Sequence, residues 1–164
     1  LNRIDKFVER KYGYAMSQEV VRRFYDAFAA RDGEAMARCY ADAVTFSDPA
    51  FPDLRGEAAR DMWRMLTSRA EDFSLTYEMH GEGRVHWEAR YRFGATGRRV
   101  HNVIEATLEV RDGLIVKHTD AFDFWRWSRQ ALGAPGLLLG WSSFLQKKVQ
   151  ARAADGLAQF RARR

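Results

Sequence analysis

Two carboxylates and an imidazole are the side chains of this sequence best suited to moving protons. From Leu114 the segment LIVKHTDAFDFW alternates as a strand does, so Val116, His118, Asp120 and Phe122 share one face. A histidine exchanges protons near neutral pH, and a neighbouring carboxylate holds its tautomer and stabilises its charged form. Plain polar satisfaction along a strand is the alternative use of the same pair. Asp48 precedes Pro49, where its carboxylate either does proton chemistry or caps N–H groups of the following loop.

Hydrogen-bond donors and apolar walls come from other segments. Asn102 shares a strand face with Ile104, Ala106 and Leu108, so its amide must find a partner if buried, and a ligand could supply it. His101 points to the opposite face, toward solvent or a second subunit. Tyr25, Tyr91, Trp63 and Trp87 combine large apolar surface with polar tips, which suits a core or a pocket for a flat hydrophobic ligand, and Phe122 adds a further apolar wall. Asp48, His101, His118 and Asp120 have faces that disagree, and no spacing of metal ligands occurs, so no metal is expected. No Gly-rich phosphate loop, Gly-x-Ser-x-Gly elbow or activated-cysteine signature is present.

The elements that must position these groups are legible from periodicity. Val20, Val21, Phe24, Phe28, Met36 and Tyr40 recur at helical spacing on either side of Arg31-Asp32-Gly33, which predicts two helices with Asp32 as the N-cap of the second. A short strand, VTFS, leads into a loop at Pro49 and Pro52, and a third helix spans Gly56 to Arg69. Four antiparallel strands follow, beginning FSLTYEM, RVHWEARYRF, RRVHNVIEATLEV and LIVKHTDAF, with Asp112-Gly113 as a tight hairpin between the last two. Beyond Phe124 two helical segments flank Gly133-Ala134-Pro135-Gly136, and Leu137, Trp141, Phe144, Leu145 and Val149 form a stripe that should pack on the body, a partner or a cavity mouth. Three parts result: residues 1–16 as an extension or helix, with Ile4, Phe7, Val8 and Lys11 along one side; 17–124 as the domain; and 125–164 as a helical extension packed on it.

Length and composition bound the class. At 164 residues with 46% apolar content the chain is one globular domain, and its single cysteine, Cys39, forms no internal disulfide. No run approaches the roughly 18 apolar residues of a membrane span. The charged start lacks the apolar stretch of a secretory signal, so cytoplasmic residence is expected. The net charge of +5 resides after residue 145, in Lys147, Lys148, Arg152, Arg161, Arg163 and Arg164 against Asp155. A basic terminal helix is ordinarily a solvated face; contact with nucleic acid or anionic lipid is the weaker alternative.

The element order, the string YADAVTFSDP from Tyr40, and the hairpin RDGLIVKHTDAFD together resemble the nuclear transport factor 2-like superfamily, in its SnoaL-like and ketosteroid-isomerase-like branch, over residues 17–124. The resemblance implies an α+β cone-shaped half-barrel: a curved antiparallel sheet packed on three N-terminal helices, here with extra C-terminal helices, around an apolar pocket, commonly in a homodimer. It places the catalytic base on Asp48. The oxyanion tyrosine falls on Phe24, one residue before Tyr25, and the oxyanion aspartate on Ala106 or Glu105, which argues against steroid isomerisation. The expected activity is a cofactor-independent isomerase, cyclase or hydratase acting on an apolar carbonyl or epoxide. Asp48 would be base or acid, His118 oriented by Asp120 the second proton carrier, and Asn102 and Tyr25 the donors to developing charge. A non-catalytic dimeric module that binds a hydrophobic molecule is the alternative.

Overall fold

The computed structural model describes residues 3–164, with side chains from residue 12 onward, so the expected stripe of Ile4, Phe7, Val8 and Lys11 lies outside the described residues. Helix α1 runs without a break from Arg3 to Ala29. It stops where Arg31 takes a positive φ and Asp32 caps the next helix, α2 (Gly33–Arg38), its Oδ1 accepting the Ala35 N–H at 2.9 Å. Tyr40 does not continue the helical stripe. After the turn at Cys39 it opens strand β1 (Tyr40–Ser47), which a two-residue strand β2 (Leu54–Arg55) pairs on one side. Helix α3 (Glu57–Arg69) follows, then β3 (Glu71–Met79), β4 (Arg84–Phe93), β5 (Arg98–Arg111) and β6 (Leu114–Ala121).

The six strands form one curved, unclosed sheet in the order β2-β1-β6-β5-β4-β3, matching the cone of the expected fold. All pairings are antiparallel except β1 with β6, which run parallel. Asp112 and Gly113, with φ of 51° and 74°, make the two-residue turn between β5 and β6, the geometry whose twist matches that of the strands. Val85, Trp87, Ala89, Ile104, Ala106 and Leu108 of the sheet meet Val21, Phe24, Tyr25, Phe28, Met62, Trp63 and Met65 of α1 and α3 in one buried cluster.

One strand face departs from simple alternation. The register shifts between Glu109 and Val110, whose partners on β6 are Lys117 and Ile115, so Val116 is the extra residue of a bulge. Ile115 therefore fills the core, fully buried, and Val116 is only half-buried; His118 and Asp120 keep the inward face expected of them.

The C-terminal extension contains three helices rather than two: α4 (Phe124–Leu132), α5 (Ala134–Leu139) and α6 (Ser143–Arg161). Pro135 starts α5 instead of separating helices, because the first turn of a helix has no use for the missing N–H. The interruption lies at Gly140–Ser142, where Ser142 caps α6 through the Leu145 N–H. That break splits the expected stripe. Leu145 is buried and Val149 half-buried, whereas Leu137, Trp141 and Phe144 stand in solvent. At its far end α6 docks on α3: Leu157 enters the main core, and Arg161 and Arg164 bond the buried carboxylate of Asp61, which Arg64 also reaches. Two of the basic residues that suggested a solvated face are thus engaged within the chain.

Because Leu157 joins α6 to the same core as α1 and α3, Leu157→Ala should cost about 2–5 kcal/mol and lower the whole unfolding transition rather than release α6 alone. Urea unfolding followed by far-UV and tryptophan signals checks this: coincident curves shifted together are expected.

Candidate functional site

Four elements converge on His118. Its Nδ1 lies 2.7 Å from the Tyr40 hydroxyl at the head of β1, and the same hydroxyl accepts the Trp63 Nε1–H from α3 at 2.7 Å. Its Nε2 lies 3.0 Å from Asp120 Oδ1, which also accepts the Trp87 Nε1–H from β4 at 3.3 Å. Only one proton arrangement satisfies every member. Both indole N–H groups can only donate, so Tyr40 accepts from Trp63 and spends its own hydrogen on Nδ1. The ring proton is then on Nε2 and is donated to Asp120, which accepts twice.

This chain of bonds is sealed. The His118 side chain is 0% exposed and that of Asp120 3%. Phe46, Phe24 and Trp63 surround the imidazole at ring separations of 5.2, 5.3 and 5.9 Å, Trp63 stacked on it. The space beneath the helices, where an apolar pocket is expected, is filled by these rings together with Tyr25, Phe28 and Trp87. Two surface clefts, of about 280 and 420 Å³, lie elsewhere: one between β4, β5 and Gln130, the other between α2 and α3. Of the expected site residues only Tyr91 lines either.

Asp48 sits beside this network without joining it. The parallel pairing of β1 with β6 sets Ser47 against Thr119, which brings the next residue on each strand, Asp48 and Asp120, to the same level. Asp48 Oδ1 accepts the N–H groups of Ala50 at 2.7 Å and Phe51 at 2.5 Å, while among the described residues no donor reaches Oδ2. Burial, with the negative charge of Asp120 adding to it, pushes the Asp48 carboxyl up to about 7 despite the two N–H bonds. The capping reading of Asp48 thus holds for one oxygen, while the other accepts from no described residue.

Tyr25 adds a second uncommitted group. Its hydroxyl is fully buried and has no hydrogen-bond partner among the described residues. Burial and the charge of Asp120 hold its ionisation well above the usual tyrosine range, so it is an O–H donor at any physiological pH. Asp120 itself stands directly across the β5–β6 ladder from Ala106. The resemblance implies an oxyanion aspartate at Ala106 or Glu105; the former position has no carboxylate, and Asp120 faces it across the ladder.

The remaining expected ligand-binding residues have assigned surroundings. Trp63 is spent on Tyr40. The Tyr91 hydroxyl accepts the Trp127 Nε1–H of α4 at 2.9 Å, and burial, with a contribution from Asp48, pushes its ionisation to about 12. Phe122 is half-buried and packs against both the main cluster and the smaller one around Trp127. Asn102, opposite Ala89, is half-buried and its amide bonds to no described residue. His101 is on the outer face as expected, where its Nε2 meets Glu88 at 2.6 Å beside a His86–Glu105 contact of 2.6 Å.

Sequence reasoning missed the residues that close the site. Tyr40 was read as part of a helix; the signal available was its place at the head of YADAVTFS, where β-branched and aromatic residues begin. Trp127 and the pair Gln146 and Gln150, whose side-chain amides both donate to the Pro49 carbonyl, draw the extension over the Asp48 loop. Only the i, i+4 spacing of the two glutamines hinted at a shared target.

Removing the Tyr40 hydroxyl orphans a buried indole N–H and a ring nitrogen at once. Tyr40→Phe should therefore destabilise the fold by about 1–3 kcal/mol, measured by denaturant unfolding, although the change keeps the ring. An unchanged stability would show that the network is not formed as described.

Residues 21–118 match the family model described as a SnoaL-like domain. Among curated proteins none matches the sequence. Solved structures of similar shape include an LEH-like epoxide hydrolase from M. tuberculosis, 21% identical over 77% of this chain and 95% of that one with a TM-score of 0.61. TsrD from Streptomyces laurentii is 26% identical over 73% and 96%, with a TM-score of 0.56. A protein of ketosteroid isomerase-like fold from Catenulispora acidiphila, solved with trimethylamine, is 18% identical over 72% and 95%, also at 0.56. The match over residues 21–118, on a six-stranded cone of the same topology, makes this chain a member of the SnoaL-like family of the nuclear transport factor 2-like superfamily.

Proposed function

We propose that this chain is a cofactor-independent acid–base enzyme acting on a small apolar carbonyl or epoxide substrate, by isomerisation, cyclisation or hydration. The observation that carries the reading is Asp48: a carboxyl near neutral pKa with one oxygen held by backbone and the other uncommitted, level with a second carboxyl group, Asp120, whose Oδ1 accepts from Trp87 and His118. A proton carrier of this kind works in both directions at physiological pH. Tyr25 supplies an O–H donor to oxygen charge that develops during the reaction. Asp120, fixed by Trp87 and His118, adds to the effect of burial on Asp48, and His118 acts through Asp120 as a positioning residue rather than meeting substrate. The neighbour named an epoxide hydrolase supports the substrate class. Substrate reaches these groups when the aromatic filling or the helices over the Asp48 loop shift aside, and the working assembly in this reading is a homodimer.

The sealing of His118 favours one other reading, a module whose interior is occupied by its own side chains and catalyses nothing. Asp48→Asn separates the two. It keeps the loop cap, so the fold persists, and it removes the proton carrier. With a panel of small epoxides and enones, wild-type turnover that is lost at least a hundredfold in Asp48→Asn is the expected result. Turnover that survives the substitution sinks the role of Asp48, and no turnover on any member of the panel favours the module.

A stability measurement tests the environment of Asp48 without any substrate. Its folded pKa of about 7 exceeds the unfolded value of 3.8, so between those values the folded state holds the extra proton and wild-type stability falls as pH rises. Asp48→Asn has no such proton to lose. Its stability relative to wild type should climb from about pH 4 to about pH 7 and level off above; a flat difference across that range would contradict the buried site.

A further inference from the structure

The largest group of exposed apolar side chains among the described residues belongs to the C-terminal extension. Leu137, Leu138 and Leu139 are 52%, 68% and 43% exposed, and Trp141 and Phe144 are 74% and 67% exposed. Trp125, 42% exposed, joins them: its indole N–H donates to the Leu137 carbonyl, and the Trp141 indole donates to that of Leu138. Packing of α5 explains the display. Gly136 and Gly140 lie so close to Ser128 of α4 that a Cβ at either position would collide with it. The helix therefore docks through its glycine edge, and three consecutive leucines face away from the protein.

The charge around this face has one sign. From Phe124 to Ala154 there is no acidic residue, while Arg126, Arg129, Lys147, Lys148 and Arg152 are all exposed. Arg129 lies 5.2 Å over the Trp125 ring, and Lys147 and Lys148 follow Phe144 by three and four residues, on the same side of α6. From the neighbouring sheet Arg98 reaches the same end, its guanidinium against Gly133. The nearest acids in sequence are Asp123, whose Oδ1 accepts the Arg126 N–H, and Asp155.

We propose that this face docks on an anionic phospholipid surface, Leu137–Leu139, Trp141 and Phe144 entering the interface and the lysines and arginines meeting the headgroups. A protruding apolar tip with interfacial tryptophans and a cationic rim has the composition of a peripheral membrane contact. A second copy of the chain would bring like charges together around the same patch, and a nucleic acid would leave the leucines without an apolar partner. No helix among the described residues is long and apolar enough to cross a membrane, so the contact is peripheral.

Co-sedimentation of the full chain with vesicles of phosphatidylcholine alone, and with a third of it replaced by phosphatidylglycerol, tests the proposal. Binding to the anionic vesicles alone, weakening with salt, is expected. Neutralising Lys147 and Lys148 as glutamine should weaken it roughly fivefold each. Trp141→Ser with Phe144→Ser alters two solvent-exposed side chains and should abolish it; retained binding would reduce the contact to charge alone and overturn the proposal. In the wild-type chain, tryptophan emission should be quenched by brominated lipid, which needs no variant to fold. Absence of sedimentation with anionic vesicles overturns the proposal, as does a dimer that the serine pair converts to monomer while vesicles remain unbound.

Discussion

A carboxyl group inside an aromatic core needs hydrogen-bond donors in place of the water it loses, and Asp120 sets that requirement for this fold. Charge taken out of water costs several kcal/mol unless hydrogen bonds replace the lost solvent. Two donors reach Asp120 directly, the Trp87 indole from β4 and the His118 ring from its own strand. His118 is in turn fixed by Tyr40, and Tyr40 by Trp63 of α3. One buried charge thus ties three strands to a helix. The geometry tolerates little adjustment, because each donor belongs to a bulky ring that also fills the interior, so polar satisfaction and close packing are imposed on the same atoms.

The same carboxylate shapes its neighbour. Burial, with the negative charge of Asp120 adding to it, holds the Asp48 carboxyl up, and its backbone N–H partners only partly offset that. Burial first, and the charge of Asp120 second, keep Tyr25 protonated. The His118 ring is sealed from solvent, while the charge of Asp120 acts on two groups that each keep an oxygen without a described partner. In the proposed acid–base reading, a carboxyl and an O–H donor held near one fixed charge are preorganised before any substrate arrives.

Much of this was legible in the sequence, and the failures have physical causes. Asp32 as a cap, Asp112-Gly113 as the hairpin turn and the inward faces of β4 and β5 follow from local chemistry that tertiary structure does not override. His118 and Asp120 were assigned the correct face, but Val116 was not, because a bulge shifts the phase of a strand without leaving a mark in alternation. Tyr40 matched a helical spacing that the turn at Cys39 cut short. The pairing of Asp48 with Asp120 depends on a parallel ladder between strands about 70 residues apart, and no local pattern encodes such a contact. Nor could polarity alone tell that the space intended for a ligand would be taken up by the rings that line it.

The C-terminal extension is where apolar periodicity misled most, and glycine is the reason. Periodicity assumes that the apolar stripe is the buried one, which holds when helices meet through their larger side chains. The contact of α5 with α4 is made by Gly136, backbone against the Ser128 backbone, and by Gly140 just beyond the helix, against the Ser128 side chain, which leaves no room for leucine at that seam. The leucines are excluded from the interior by geometry rather than drawn to solvent by chemistry. Such a face forgoes part of the roughly 1.5–3 kcal/mol that full burial of each leucine side chain is worth. The cost is removed only by a surface that can bury them, and the cations around them select which surface that is.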